Sequence, residues 1–331
     1  MVVDLANGQA ARGHDVTLLV VNTDIEQALL DTLSPSVRRI LIGRTPGSRN
    51  PLPMARLNAI LLRHSPDVLH LHNAGITGMI LPPLRRRIIT TLHTTGIDLA
   101  LGRGASRFVA ISPTVREEAL ERHPGTGIEV ISNAIDFDAI SRRPDSPRFS
   151  KKLKIVQLGR LFPEIKGQDI LIRALGILRR EGITDITAEF IGAGDGLADL
   201  EALAHSEGVE AQVSFAGSLS RKDTYSRLSG YDLMVHPSRI EGFGLAVIEG
   251  MAAGLPVVVP DRGAPFEITR RGELARTFVY GDAASLADTL RAIRADYPAA
   301  AALAGPALEY ARANFSLDAM TDSYLKIYET L

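Results

Sequence analysis

Cysteine is missing from all 331 residues, which excludes disulfides, thiolate nucleophiles and Cys-ligated zinc. No apolar run approaches the roughly 18 residues that a membrane-spanning helix needs. The N-terminus lacks the apolar core of a secretion signal, because Asp4, Asn7 and Gln9 interrupt it. The cytoplasm is therefore the expected location. A formal net charge of −1 argues against general binding to nucleic acid. Short-period repeats and low-complexity segments are absent as well. What is present is ordinary for a soluble protein, 45% apolar and 23% charged. The length exceeds what one hydrophobic core usually supports and predicts two domains. Residues 1–150 hold 17 Lys+Arg against 14 Asp+Glu. That slight excess of positive charge leaves room for the first half to meet an anionic surface or acceptor.

Read in order, residues 5–12 predict a helix leading through Gly13 into an apolar strand at 16–21. A helix at 52–63 precedes strands at 68–72, 87–93 and 108–112. Ser112-Pro113 then opens another helix, with an N-cap followed by proline at the first helical position, and 128–133 closes the set. Apolar strands alternating with helices predict a parallel sheet covered on both faces. The polar, proline-bearing text from Asp136 to Lys152 predicts the hinge, giving domains at 1–148 and 149–331, with the last helix able to return to the first. The alternation restarts with strands at 154–158, 188–191 and 213–216 and helices around 170–178, 197–206 and 221–229. Later helical patterns cover 285–294, 300–313 and 317–330. Two doubly wound α/β units predict a ligand cleft at strand carboxyl ends.

The most informative stretch is 236–260, HPSRIEGFGLAVIEGMAAGLPVVVP. Glu241 precedes a helix that begins at Leu245, Glu249 lies inside it, and Gly254 with Pro256 ends it. Two glycines let backbone approach a ligand at a helix mouth whose first N–H groups lack partners, a setting suited to an anion or a group of hydroxyls. Two carboxylates divided between loop and helix can accept hydrogen bonds from separate parts of a polyhydroxylated ligand. Upstream, Gly159-Arg160-Leu161 and Lys166-Gly167 follow a strand, the position where a phosphate sits in such folds. Arginine supplies a fork of donors and lysine a point charge, enough to neutralise a diphosphate without a metal.

Gly159-Arg160…Lys166-Gly167, Gly192-Ala193-Gly194-Asp195-Gly196, Phe215-Ala216-Gly217 and Glu241 through Glu249 together resemble family 4 retaining glycosyltransferases of GT-B fold. The resemblance spans most of 151–331 and extends to Leu5–Val20, His93 and Ile131-Ser132-Asn133. It implies two Rossmann-like doubly wound domains and transfer of a hexose from a UDP- or GDP-sugar to a hydroxyl acceptor, with retention and without a metal or other cofactor. It also implies a glycan or lipid-linked acceptor of bacterial cell-surface synthesis, and association with the inner membrane face. By the resemblance, Arg160 and Lys166 bind the donor diphosphate and Glu249 the ribose hydroxyls. Glu241 and the backbone of Phe243, Gly244 and Leu245 hold the transferred sugar, and His93 lies across the cleft near it. Gly159 belongs to the same donor-binding loop, and base recognition falls to main chain near Ile191–Gly192 and Ser218–Leu219.

Relatives of this kind normally open with a strand and a Gly-Gly loop before the helix that 4–12 resembles. The expectation is a first domain without its innermost strand and glycine loop, and with impaired transfer. Other GT-B chemistry (a nucleotide-sugar epimerase or a phosphorylase) and non-catalytic nucleotide-sugar binding remain as alternatives. Several lookalikes carry less weight. Gly192-x-Gly194-x-Gly196 is not the spacing of a dinucleotide fingerprint. Asp136-Phe137-Asp138 matches a metal-binding DxD but sits in the hinge. His70 and His72 alternate at a strand end, where packing is the simpler role. Arg85-Arg86-Arg87 reads as a solvated turn that could touch phospholipid.

Overall fold

Two compact units emerge from the computed structural model, which describes every residue except 26, 86, 103, 145–148 and 150. The first comprises Met1–Ala134 with Leu317–Leu331, and the second Ile135–Ser316. Residues 135–144, assigned from sequence to the first domain, pack with the second unit. Ile135 N–H donates to the Phe315 carbonyl at 3.0 Å and Arg143 N–H to that of Ala253 at 2.8 Å. Arg143 also pairs with Asp232 at 2.8 Å. Of the remainder of the expected hinge, 145–148 and 150 lie outside the described residues, and Phe149 packs edge-on against Tyr297.

In the first unit, α1 (Val2–Ala11) precedes β1 (Thr17–Asn22) and β2 (Arg38–Arg44). Next come α2 (Leu52–His64), β3 (Leu69–Leu71), β4 (Ile88–Leu92), β5 (Arg107–Ala110), α3 (Pro113–Arg122) and β6 (Ile128–Val130). The described strands form two parallel sheets, β1-β2 and β3-β4-β5-β6, where the sequence suggested one. Strand β2 escaped the sequence reading because only Ile40, Leu41 and Ile42 are apolar between its arginines. As predicted, Ser112 caps α3, its hydroxyl accepting from Val115 N–H at 3.1 Å.

The second unit holds one sheet. Its main elements are β7 (Leu153–Leu158), a one-turn helix at Pro163–Lys166, α4 (Gln168–Arg180), β8 (Ile186–Ile191), α5 (Leu197–Ser206), β9 (Val213–Gly217), α6 (Arg221–Arg227), β10 (Leu233–Val235), α7 (Leu245–Ala252), β11 (Val257–Pro260), β12 (Arg276–Phe278), α8 (Ala283–Ala295) and α9 (Ala304–Phe315). All its pairings are parallel, in the order β12-β11-β10-β7-β8-β9. Such strands are buried on both faces and therefore read as uninterrupted apolar runs. Helix α4 sits on them through Ile170, Leu171, Ala174, Leu175 and Leu178, all fully buried. The helix expected at 300–313 is instead two, Tyr297–Ala301 and α9. Pro306 cannot donate to the carbonyl of residue 302, so no single helix runs through. The chain ends in α10 (Leu317–Glu329), which joins the first unit. Its Tyr324 and Ile327 pack with Leu5 of α1, Ile89 of β4 and Val109 of β5.

Candidate functional site

The strand order fixes where chemistry can gather in the second unit. From β7 the chain winds one way through β8 and β9, then returns to place β10 on the other flank of β7. This is a topological switch point, the place where open parallel sheets take their ligands, outside the carboxyl ends of the strands. The β7 loop carries Gly159, Arg160 and Lys166; the β10 loop carries His236, Glu241 and Gly244.

Buried glutamines hold the β7 loop from beneath. Gln157 donates to the Lys166 carbonyl and Gln168 to that of Arg160, each at 2.8 Å. Arg239 fastens the second loop to the first. Its guanidinium grips Asp169 at 2.7 and 2.8 Å and reaches the Pro163 carbonyl at 2.6 Å. The backbone N–H groups of Arg239 and Ile240 both donate to the Ile165 carbonyl, at 2.8 and 3.1 Å. Gly167 has φ +67° and lies so close to the Pro237 carbonyl that any side chain would collide with it.

The result is a tight ion pair. Lys166 Nζ donates to Glu241 Oε2 at 2.7 Å, and His236 Nε2 lies 3.2 Å from the same oxygen. Burial alone would raise the Glu241 carboxyl, but the hydrogen bond and charge of His236, with Lys166, hold it down at about 2. Arg160 is exposed, with its guanidinium 4.7 Å from the Phe162 ring centre, and it has no carboxylate partner among the described residues. Gly244, at φ +111°, is the N-cap of α7. The first N–H groups of that helix have no partner within it. The Phe243 side chain is buried against Phe315, ring centres 5.8 Å apart, so only its backbone is available to a ligand, whereas Leu245 is exposed.

Glu249, on α7, accepts from the Tyr225 hydroxyl of α6 at 3.2 Å, and Arg221 Nε donates to that hydroxyl at 3.1 Å. Burial pushes the Glu249 carboxyl up to about 7, while Tyr225 and Arg221 pull it back. Burial, reinforced by the Glu249 charge, raises the tyrosine hydroxyl, which stays a donor. At the ends of β7, β8 and β9, Gly159 N–H donates to the Ile191 carbonyl at 3.0 Å and Gly192 N–H to that of Gly217 at 2.9 Å. Gly192 has φ +148°, and a Cβ there would strike the carbonyl of Gly159. Its glycine requirement is therefore met by loop packing. Leu219 follows β9, half-buried.

Of the residues singled out from sequence, the fold joins Lys166 with Glu241, and Gly159 with Gly192. Tyr225 and His236, the partners of Glu249 and Glu241, were not among the residues singled out. His236 stood inside the quoted stretch with no role, and nothing local links Tyr225 to Glu249. His93 belongs to the first unit, where its Nε2 lies 2.9 Å from His72 Nδ1. Neighbouring His70 bonds the Tyr328 hydroxyl and Thr91 Oγ1, each at 2.7 Å. Burial drives all three imidazoles down, His70 to about 3, His93 to about 4 and His72 well below the ordinary value. Asp136 accepts from Asp138 N–H at 3.0 Å, and Asp138 pairs with Arg312, so the DxD lookalike forms a turn with an ion pair. Arg85 is spent on the carbonyls of Ile80 and Gly78, at 2.7 and 3.1 Å, and Arg86 lies outside the described residues.

Residues 139–307 match the family described as glycosyl transferases group 1, and residues 1–139 that of glycosyltransferase family 4. The chain is 27% identical over 360 residues to a phosphatidyl-myo-inositol mannosyltransferase of Mycobacterium leprae, spanning 100% of this chain and 92% of that protein. It is 28% identical over 339 residues to the lipopolysaccharide core biosynthesis glycosyltransferase LpsE of Rhizobium meliloti, spanning 98% and 93%. Among solved structures, Anabaena Alr3699/HepE in complex with UDP and glucose matches with a TM-score of 0.82 at 21% identity, over 100% of this chain and 95% of that one. That likeness establishes the fold, two Rossmann-like doubly wound units of the GT-B class.

Proposed function

The chain belongs to the glycosyl transferases of group 1, and from that premise we propose that it moves a hexose from a UDP- or GDP-sugar to a hydroxyl of a lipid-linked or glycan acceptor. Configuration at the anomeric carbon is retained and no metal takes part. The relatives named above are, by their names, a phosphatidyl-myo-inositol mannosyltransferase and a lipopolysaccharide core biosynthesis glycosyltransferase, which supports an acceptor of that class. No helix among the described residues is long and apolar enough to cross a membrane, and work at the cytoplasmic membrane face, by peripheral association, is part of the proposal.

The observation that carries this reading is the pairing of Lys166 with Glu241 at the switch point, beside the exposed Arg160. A diphosphate entering there finds two cations, one of them already set at the end of the one-turn helix. As the glycosidic bond breaks, negative charge accumulates on the leaving phosphate oxygens and positive charge on the sugar ring. Fixed donors aimed at that developing charge are worth about 2.7–4 kcal/mol each in comparable sites. Glu241, ionised at any physiological pH, accepts from sugar hydroxyls and faces the developing ring charge. Glu249 accepts from the ribose, and the α7 N–H groups near Gly244 and Leu245 hold the sugar or its phosphate.

Nucleoside diphosphates and their sugars, screened by calorimetry in the presence of a chelator, test donor binding and metal independence. NMR of the product then tests retention. Interconversion of donor sugars without an alcohol acceptor would favour an epimerase instead. Donor binding without release of nucleoside diphosphate to any acceptor would favour a non-catalytic binder.

A further inference from the structure

Two donors converge on one oxygen of Glu241. Lys166 Nζ lies 2.7 Å from Oε2 and His236 Nε2 lies 3.2 Å from it. They differ in access. The Lys166 side chain is 23% exposed and that of His236 only 3%, so a ligand arriving from solvent meets the ammonium and not the imidazole. The sheet itself places His236. It follows β10 directly, and its N–H donates to the Val258 carbonyl of β11 at 2.9 Å. Because an ionised carboxylate only accepts, Nε2 carries the hydrogen in this contact whatever the charge on the ring. Nδ1 is buried with no partner among the described residues. The one side-chain hydrogen bond that His236 makes is therefore spent on Glu241.

The second donor becomes decisive when Lys166 changes partner. The Glu241 side chain is 16% exposed, and a carboxylate so enclosed is costly unless a donor answers its charge. A diphosphate competes for the ammonium. With no other donor, the carboxylate would then turn towards solvent or take up a proton, and either change removes it as an acceptor for a sugar hydroxyl. We propose that His236 is a positioning residue for the transfer reaction, keeping Glu241 aimed at the donor sugar while the diphosphate engages Lys166. His236 is too enclosed to touch a ligand and acts through Glu241. Both protein donors sit on Oε2, and among the described residues none sits on Oε1, so Oε1 is the oxygen offered to the sugar. The inference rests on the proposed donor site and adds the residue that lets one carboxylate serve in its empty and its loaded state.

The test compares His236→Leu, His236→Asn and His236→Gln in steady-state transfer from UDP- or GDP-hexose, with calorimetry of UDP and GDP alongside. A glutamine amide nitrogen reaches the place of Nε2, whereas that of asparagine reaches only the place of Nδ1. The leucine and asparagine variants should lose about tenfold or more in kcat, while affinity for the nucleoside diphosphate, which Glu241 does not contact, stays within about twofold. His236→Gln should recover all but about threefold. In a Glu241→Gln background, His236→Leu should cost nothing further. A second readout needs no donor, namely carbon-13 NMR of the Glu241 carboxyl. In Lys166→Ala it should titrate higher than in the wild type but still below the ordinary 4.5, and in Lys166→Ala with His236→Leu above it, where burial alone remains. Equal kcat in the leucine and glutamine variants, or a carboxyl that titrates alike in the single and double variants, would overturn the proposal. A wild type that binds neither nucleotide sugar while its carboxyl keeps the expected order would strike the donor reading, and this proposal's ligand with it, while upholding the hold of His236 on Glu241.

Discussion

Lys166 Nζ and Glu241 Oε2 stand 2.7 Å apart, although 75 residues separate them in the chain. The contact exists because β10 returns beside β7 and because Arg239 clamps the two loops together. It also sets a competition. On the proposed donor site, a bound diphosphate would draw on the same ammonium that holds Glu241, which would couple donor binding to carboxylate placement.

Lys166→Ala should lower donor affinity and transfer together. One charge-assisted hydrogen bond is worth about 1.5–3 kcal/mol, roughly a tenfold to hundredfold loss in kcat/KM. The check is steady-state kinetics alongside calorimetry of nucleoside diphosphate. Equal kinetics in variant and wild type would remove Lys166 from the site.

Tyr225→Phe deletes the hydroxyl that donates to Glu249. The Glu249 carboxyl, already up at about 7 through burial, then rises further, and less of it is ionised at neutral pH. In the wild type, donor affinity should fall as pH is lowered through about 7. In the variant that fall should begin at higher pH, raising KM several-fold at neutral pH with a smaller change in kcat and recovery in mild alkali. The measurement is the pH profile of the donor dissociation constant for both proteins. Superimposable profiles would leave Tyr225 without a role at Glu249.

Gly192→Ala should destabilise the second unit. The residue sits at φ +148°, and its new methyl would meet the Gly159 carbonyl. Left-handed strain alone costs about 1–3 kcal/mol, so melting should occur several degrees lower. Gly281 is the control, where alanine should be milder: its φ is +77°, but nothing lies within 4 Å of the position a Cβ would take. Equal effects at the two positions would show that the loop packing contributes nothing.

Much of the second unit could be read directly from the sequence. Strands buried on both faces, such as β10 and β11, appear as unbroken apolar runs, and α4 shows the spacing of a helix with one buried face. Where a strand is short and half-exposed, as in β2 with its terminal arginines, the pattern vanishes. The site divides in the same way. Glycines flanked by charge announced Lys166 and Glu241, because backbone approach to a ligand constrains residue type locally. The partnerships of Tyr225 with Glu249 and His236 with Glu241 depend on which elements the sheet order brings together. Residue names do not report that.

Acid should destabilise the protein over two overlapping windows of pH. The imidazoles of His70, His72 and His93 are held below their ordinary 6.5 mainly by burial. The unfolded chain therefore binds protons that the folded one refuses, and stability is lost as pH falls from about 6.5 towards 3. Glu241, whose carboxyl is depressed from 4.5 to about 2, gives stability present above 4.5 and lost as pH falls from there towards 2. His93→Gln should flatten the upper window and Lys166→Ala the lower one, in melting temperatures recorded across pH. A single window unaffected by either variant would contradict both assignments.

The most direct test of the donor site is calorimetry of UDP, GDP and their hexose conjugates with the wild type and with Arg160→Ala, Lys166→Ala and Glu249→Ala. Saturable binding of one nucleoside diphosphate sugar by the wild type is expected, with each substitution weakening it about tenfold or more while the fold stays intact by melting. Binding that all three variants retain at wild-type strength would contradict it.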